Sequence, residues 1–438
     1  MNAKVDFPLQ EAAEIRAPTA ERRTQRLEQL DSLRGLAAVS VVLGHLAEVI
    51  LAAEPAQSAQ WAGAAALISR INWTPLCLFT ASGGQAVRFF FILSGLVLAL
   101  PFLGGPQRYS SYVIKRVCRI YLPYAVALAL AIAANAALGN QPLAHFGKFV
   151  QHTWGSPPTS QLVIQHIAML GQYDVTKFDT VFWSLVQEMR ISLLFPLVAL
   201  VVGRWSGARI FLLGCILEAT SLILCCAFDQ GPLNLASFAY MVHLISLFLL
   251  GAVLAKSRVR IMMWTARLRT RTLGLTLAAV VVAYAMVPKL IWGNQFRQHV
   301  LVALAHRQLL PEPFNQRLVD QLGLLAGDWA SVACAAALIA LALGEGPFRR
   351  ALCSAPLVLC GQMSYSLYLF HATVLWSLLY LIPDPSSHSL VMFAALYLVL
   401  TGALTAASYY LVEQPSIRLG RVISAAFGKP PTVARISA

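Results

Sequence analysis

The chain has 438 residues, of which 58% are hydrophobic and only 12% are charged. A soluble chain carries about 25% charged residues, so this composition excludes an ordinary soluble protein and indicates an integral membrane protein. The formal net charge of +14 at pH 7 could suggest a nucleic-acid partner. The distribution of that charge favours membrane topology instead.

Apolar runs of about 20 residues predict membrane-spanning helices, because a helix satisfies its own backbone hydrogen bonds in lipid. The expected fold class is therefore an all-α integral membrane bundle of ten transmembrane helices. With the N-terminus in the cytoplasm, most of the 33 Lys and Arg residues fall on the cytoplasmic side, which predicts that both termini are cytoplasmic. Most of the basic charge is then explained by topology and contact with membrane lipids, without nucleic acid. The predicted spans cover residues 33–53, 84–103, 120–138, 183–203, 208–228, 237–255, 272–291, 322–343, 357–381 and 390–412.

The predicted organisation is one membrane domain, residues 30–418, between two cytoplasmic tails, residues 1–29 and 419–438. The N-terminal tail is polar and has no apolar segment typical of a signal peptide, so we expect the first span to direct insertion. No appended soluble domain is expected. The last span is predicted to end at Glu413-Gln-Pro415, where proline should stop the helix.

The first span, which begins near Leu30, carries an arginine at its start and a histidine deep inside it. Arg34 and His45 are eleven residues apart, which places both on one helix face, roughly 16 Å apart along the axis. An ionisable residue inside a span is costly and indicates a functional site. The alternative is that His45 is a packed, hydrogen-bonded residue of the bundle. Glu48 lies on the same face and could orient the imidazole or reach the outer interface.

Polar residues of four spans fall at similar predicted depths in the outer half of the membrane. Four helices that offer charge at one depth suggest a shared polar cavity. The residues of this predicted layer are His45, Arg88, Glu188, Arg190 and His371.

Each of these residues also has a simpler interpretation. Arg88 is close enough to the outer interface to snorkel. Glu188 and Arg190 are two positions apart, so they cannot face each other on a helix and each needs another partner. Glu218 and His243 also lie within spans but have no motif around them, and we expect a structural role for both.

On the cytoplasmic side, Arg34 lies at the same depth as a basic segment. Arg116 and Arg119 are three residues apart and are therefore neighbours on one helix face. Fixed guanidinium groups suit phosphate groups. The alternative for this cluster is lipid headgroup binding together with the positive-inside bias.

Long outer loops are predicted over residues 54–83, 139–182 and 292–321, where they would cover the outer mouth of the bundle. Gln161 to Leu170 could form a short interfacial helix. The eight cysteines have no metal-type spacing, and we expect no metal site.

Six short motifs occur in order along the chain, and together they resemble acyltransferase family 3. Members of this family are bacterial inner-membrane O-acyltransferases that modify O-antigens, exopolysaccharides and other glycans. Arg34 followed by ten residues and His45 is similar to the family's Arg-x10-His motif. The other motifs are Phe90-Phe-Ile-Leu-Ser94-Gly95, Lys115-Arg116-Val-Cys-Arg119-Ile-Tyr-Leu-Pro123, Trp183-Ser-Leu-Val-Gln-Glu188, Ser364-Tyr365-Ser-Leu-Tyr368-Leu-Phe-His371 and Glu413-Gln-Pro415.

The resemblance implies an acyl-CoA cosubstrate, usually acetyl-CoA, that enters from the cytoplasm, and no permanently bound cofactor. It implies an acceptor hydroxyl, usually on a carbohydrate or lipid-linked glycan, at the outer side of the inner membrane. It also implies that His45 is the catalytic base and that Arg34 is required for activity. Arg88 departs from the family pattern, because many members have an acidic or apolar residue just before the Phe-Phe motif.

The expected mechanism places the CoA nucleotide at Arg34, Arg116 and Arg119 and the thioester near His45. His45 would remove the proton of the acceptor hydroxyl, since a neutral imidazole suits this step at neutral pH. Glu188 is expected to orient the base or to bind acceptor hydroxyls. A covalent acyl-histidine intermediate is the alternative to direct attack. The candidates for the oxyanion donor or for acceptor binding are Arg88, Arg190, Tyr368 and His371.

Three other functions are compatible with parts of this pattern. A transporter or lipid-linked-sugar flippase could use the same polar layer, but the chain has no inverted repeat and no matched pair of broken helices. A transferase of another acyl group, such as succinyl, would use the same residues. A receptor or scaffold would not need His45.

Overall fold

The computed structural model describes residues 27–53, 59–139, 143, 146, 148–154, 157–169, 171, 173–228, 236–292, 303, 314–382 and 389–427. Over these ranges the chain is helical and forms no β-strand, apart from one isolated bridge between Ala53 and Phe146. The all-α class is therefore confirmed. Most of the predicted N-terminal tail, and the C-terminal tail beyond residue 427, lie outside the described residues.

The described part of the chain contains fifteen α-helices, one 3₁₀ turn and one π turn. In chain order they are α1 (Glu28–Ala52), α2 (Ala59–Ile71), the 3₁₀ turn (Pro75–Phe79), α3 (Gly83–Gly104), α4 (Tyr109–Leu138), α5 (Lys148–His152), α6 (Ser160–Ala168), α7 (Phe182–Arg204), α8 (Gly207–Phe228), α9 (Ala236–Ala266), α10 (Thr270–Trp292), α11 (Phe314–Leu343), α12 (Pro347–Leu352), α13 (Ala355–Leu381), α14 (Leu390–Ser408), the π turn (Tyr409–Glu413) and α15 (Gln414–Ala426).

Within the described ranges, nine helical segments are long and apolar enough to cross a membrane. They correspond to nine of the ten predicted spans. The tenth, α13, is 27 residues long and has no Asp, Glu, Lys or Arg, but its Ser, Tyr and His side chains lower its mean hydropathy. The chain is thus a multi-pass membrane protein built from ten long helical segments in its described part.

Several helices extend further than the apolar pattern predicts. α4 begins at Tyr109 rather than near residue 120, so the basic Lys115–Arg119 segment is helical. α11 begins at Phe314, so the predicted third outer loop is shorter than expected. A helix continues past the apolar core because its backbone bonds do not depend on side-chain polarity.

The expectation that Pro415 ends the last span is wrong. The chain continues from α14 through the π turn directly into α15, where Pro415 lies in the first turn. Proline would interrupt a regular i→i−4 ladder, but the π turn directly before it replaces that ladder, and the N–H of Gln414 bonds to the carbonyl of Tyr409 instead. The predicted boundary at residue 419 therefore falls inside α15.

Close helix crossings at glycine bring the functional segments together. A side chain at Gly35 of α1 would meet the backbone of Gly361 of α13 at 2.6 Å. A side chain at Gly251 of α9 would collide with the carbonyl of Ile92 of α3. Small residues allow such close backbone contact in membranes, where packing rather than hydrophobic burial drives association. The first crossing aligns α1 with α13 over their length and sets His45 beside His371.

Candidate active site

A cavity of about 460 Å³ lies between α1, α3, α4, α7, α13 and the junction of α14 with α15. Its lining carries both signs of charge, with arginines in a small excess over carboxylates. This balance differs from the purely basic cluster expected from the sequence. The charged lining residues are Arg34, Arg116, Arg119, Arg421, Asp31, Glu188 and Glu413.

The predicted phosphate-binding arginines Arg34, Arg116 and Arg119 all line this cavity. Arg116 donates to the Glu188 carboxylate, with an Nη2–Oε1 distance of 3.0 Å, and to the Ser192 hydroxyl at 2.9 Å. The three arginines come from α1 and α4, so two helices define this end of the cavity.

Glu188 lies with these arginines rather than with the outer polar layer to which its depth assigned it. Besides Arg116, its carboxylate accepts a hydrogen bond from the Ser94 hydroxyl at 3.2 Å. An arginine side chain is long enough to reach a carboxylate several residues deeper in the membrane. The depths derived from the rise along each helix axis therefore did not predict the contact between Glu188 and Arg116.

Glu413 is a second carboxylate of the cavity, and it is 2% exposed. It ends the π turn and accepts a hydrogen bond from the Ser366 hydroxyl at 2.7 Å. Single π turns inside helices are frequent at functional sites. In the sequence Glu413 stands out only as part of a motif, although a carboxylate next to an apolar run is a signal that could have identified it.

Phe90 and Tyr368 form an aromatic pair in the lining of the cavity. Tyr368 donates or accepts a hydrogen bond with Ser184 at 2.7 Å, and its ring meets the Phe90 ring edge-on at 5.6 Å between centroids. Neither His45 nor His371 lines the cavity. His371 lies three residues beyond Tyr368 on α13, a rise of about 4.5 Å.

His45 and His371 form a direct pair about one helical turn beyond the Phe90–Tyr368 pair. Their Nδ1 and Nε2 atoms are 2.8 Å apart, and the ring planes differ by 13°. His371 is fully buried, whereas the side chain of His45 keeps 15% of its surface exposed. The Nε2 atom of His45 lies 4.0 Å from the carboxylate of Glu48, which is about half exposed.

Arg88 belongs to a separate cluster of buried charge. Its guanidinium forms an ion pair with Asp328 of α11. The other oxygen of Asp328 lies 3.5 Å from His243 Nε2, and His243 Nδ1 lies 2.9 Å from Glu218. This cluster connects α3, α8, α9 and α11. Asp328 was not among the predicted site residues, although an acidic residue within a predicted span is a signal that could have identified it.

Arg190 forms a further separate contact. It donates to the Ser237 hydroxyl at 2.9 Å and to the carbonyl of Gly171, and its guanidinium lies 4.7 Å from the Phe238 ring centroid. It therefore connects α7 to α9 and to an outer loop. The residues of the predicted outer layer therefore belong to separate clusters. Depth along a helix does not determine which neighbouring helix a side chain faces.

The outer connections are held against the bundle by buried polar groups. His166 of α6, in the predicted interfacial segment, contacts the Tyr124 hydroxyl through Nδ1 at 3.1 Å and donates from Nε2 to the Asp174 carbonyl at 3.1 Å. Burial lowers the pKa of His166 to about 4, so the ring is neutral near pH 7. Asp179 accepts a hydrogen bond from Thr373 at 2.7 Å, two residues from His371.

The described residues include no group of three or more His, Cys, Asp or Glu side chains arranged to hold a metal ion. The arrangement provides a charged cavity that can hold an anionic ligand. Beyond the Phe90–Tyr368 pair, it also provides two imidazoles suited to proton transfer.

Comparison with known proteins identifies the family. A family model described as an acyltransferase domain matches residues 27–413, which contain the histidine pair, five of the six motifs and most of the cavity lining. The matched range ends at Glu413, the first residue of the sixth motif. No curated protein and no solved structure matches the chain. Since the family model covers most of the sequence, the chain belongs to acyltransferase family 3 and is a multi-pass membrane acyltransferase.

Proposed function

We propose that the protein transfers an acyl group, in the first instance acetyl, from cytoplasmic acyl-CoA to a hydroxyl of a carbohydrate. The acceptor is a surface glycan such as an exopolysaccharide or O-antigen at the outer side of the bacterial inner membrane, and both chain termini are cytoplasmic. The observation that carries this proposal is the cavity with arginines at one end and Tyr368 at the other, one helical turn from the histidine pair.

The arginine end of the cavity suits the phosphates of CoA. Ligand pockets occupy about 300–1,000 Å³, and the cavity of about 460 Å³ can hold the thin pantetheine arm. Arg34 and Arg119 come from two helices and can approach a nucleotide from two sides. Arg116 is already paired with Glu188, so the carboxylate holds this guanidinium in place before the ligand arrives.

The reaction follows from the position of His45. His45 accepts the proton of the acceptor hydroxyl while the hydroxyl oxygen forms a bond to the thioester carbonyl carbon. The tetrahedral intermediate then breaks its C–S bond, and the departing CoA thiolate takes the proton from His45. Tyr368, at the end of the cavity, supplies a hydroxyl donor for the developing oxyanion. Tyr368 lines the cavity three residues before His371 on the same helix, so the thioester passes the Phe90–Tyr368 pair to reach His45.

The direct test uses purified protein in liposomes with [¹⁴C]acetyl-CoA and a panel of methyl glycosides as acceptors. We expect radiolabelled O-acetyl glycoside with at least one sugar. Mass spectrometry of surface glycans from a bacterium with and without the gene identifies the natural acceptor. Transfer of succinyl but not acetyl from the matching CoA esters would change the assigned acyl group. Absence of transfer from any acyl-CoA, together with an unchanged glycan profile, would contradict the proposal.

Replacing Arg116 with methionine should raise KM for acetyl-CoA about 10- to 100-fold, because hydrogen bonds to charged groups contribute about 1.5–3 kcal/mol. The substitution also leaves the Glu188 carboxylate facing the CoA phosphates. The Arg116→Met/Glu188→Gln double variant should therefore regain part of the affinity. Radiolabelled acetyl-CoA binding measures both effects.

The matched control for this test is Arg350→Met, which removes an arginine from α12 that does not line the cavity. Its acetyl-CoA affinity should equal that of the unmodified protein. Equal affinity in the Arg116 variants as well would mean that these arginines serve topology rather than the donor.

A further inference from the structure

The hydrogen bonds of the histidine pair determine which nitrogen carries each proton. His371 Nδ1 lies 2.8 Å from the Tyr368 carbonyl and 3.2 Å from the Leu367 carbonyl. A carbonyl oxygen only accepts hydrogen bonds, so the proton of His371 must be on Nδ1. Both carbonyls belong to the preceding turn of α13, which makes this arrangement a property of the helix itself.

The other nitrogen of His371 is then an acceptor. The ring is fully buried, and the contacts described for it reach backbone carbonyls and His45 but no carboxylate. A buried imidazolium without an anionic partner is strongly disfavoured, so His371 is neutral and its Nε2 has a free lone pair. This lone pair faces His45 Nδ1 at 2.8 Å.

Two acceptors cannot share that contact, so His45 Nδ1 carries the proton and donates it. A separation of 2.8 Å is shorter than the contact of about 3.5 Å between stacked ring atoms, so the bond lies near the ring planes. The near-parallel rings, 13° apart, are consistent with this geometry. The neutral His45 ring therefore has its lone pair on Nε2, the nitrogen on the side of Glu48.

We infer that His371 is a positioning residue that holds His45 in the Nδ1–H tautomer, so that Nε2 is the nitrogen that accepts the proton of the acceptor hydroxyl. This inference rests on the proposed function and deepens it, because it gives the base a defined atom and direction. Without the acceptor at His371 Nε2, the proton of His45 could occupy either nitrogen and the ring could rotate. Fixing the tautomer of a catalytic histidine by a hydrogen bond to its other nitrogen is an effective device in enzymes.

In this arrangement Glu48 can stabilise the protonated form of His45. When Nε2 of His45 accepts the proton, its new N–H faces a carboxylate that lies 4.0 Å away in the resting protein. The charge of the imidazolium is then balanced on one side by Glu48, while His371 remains hydrogen-bonded on the other. His371 thus differs from the oxyanion or acceptor-binding role suggested by the sequence, because its polar atoms are engaged with the backbone and with His45.

The test combines a spectroscopic and a kinetic measurement on the full chain in nanodiscs. With ¹⁵N-histidine labelling, the His45 signals are assigned by their loss in His45→Gln. At neutral pH we expect Nδ1 of His45 to be protonated and Nε2 to be unprotonated. In His371→Leu, which removes the acceptor, the proton should redistribute to Nε2, and kcat should fall about 100-fold or more with KM for acetyl-CoA unchanged. His371→Gln, which keeps an acceptor oxygen, should retain more of kcat than His371→Leu.

Ser377→Ala, on the same helix, is the matched control, since its hydroxyl contacts only the Thr373 carbonyl among the described hydrogen bonds. Its spectrum and kcat should not change. An Nε2–H tautomer of His45 in the unmodified protein, or full kcat in His371→Leu, would overturn the inference. Full activity of His45→Ala would overturn the proposed role of the base instead, and the NMR signals would still decide the tautomer.

Discussion

Replacing His45 with alanine should lower kcat for acyl transfer by about 10²–10⁴-fold, the usual contribution of a general base. The physical reason is that the acceptor hydroxyl loses the group that removes its proton. KM for acetyl-CoA should remain close to that of the unmodified protein, because His45 does not line the arginine cavity. The expected loss is therefore in turnover and not in donor binding.

The measurement is the rate of [¹⁴C]acetyl transfer in liposomes, together with binding of acetyl-CoA to the same preparation. Leu51→Ala serves as the control on α1, since Leu51 is exposed near the end of the helix and contacts neither histidine in the described hydrogen bonds. It should keep normal turnover. Turnover of His45→Ala within threefold of the unmodified protein would remove His45 from the mechanism.

The second large effect concerns stability rather than chemistry. Asp328→Leu should destabilise the protein by about 3–5 kcal/mol, because it leaves the buried Arg88 guanidinium without its carboxylate. His243 loses a second ionic contact at the same time. The change is expected in the midpoint of thermal unfolding in detergent and in the amount of folded protein recovered from the membrane.

The informative comparison is Arg88→Met combined with Asp328→Leu. Removing both partners of a buried ion pair is often close to neutral, so the double variant should regain most of the lost stability. Ser331→Ala, one turn further along α11, is the control for an unrelated substitution of this helix. If the single and the double variants were equally unstable, the Arg88–Asp328 pair would not be the source of the stabilisation.

The sequence predicts the helices better than the contacts between them. The apolar runs predicted all ten long helices of the described part of the chain. Spacing within one helix carries no information on which neighbour a side chain faces. For this reason Glu188 was assigned to the outer layer although it pairs with Arg116, and Arg88 was assigned to a shared cavity although it pairs with Asp328.

The other features that the sequence did not predict depend on contacts between distant parts of the chain. His45 and His371 are 326 residues apart, and nothing in the sequence around either histidine indicates that their ring nitrogens are in contact. The motif around His371 indicated a functional residue, but only the helix crossing at Gly35 and Gly361 reveals its partner. The proline of Glu413-Gln-Pro415 predicted a helix end, but the π turn before it lets the helix continue into α15, and a π turn has no signal in the sequence.

The contact between Phe90 and Tyr368 bears on the permeability of the membrane. A charged cavity that continued to the histidines as an open passage would give protons and small ions a route across the lipid. The edge-on contact of the two rings, with Tyr368 hydrogen-bonded to Ser184, places two bulky aromatic side chains on that route. We therefore expect the Phe90–Tyr368 pair to limit the leak of ions through a polar cavity inside the bilayer.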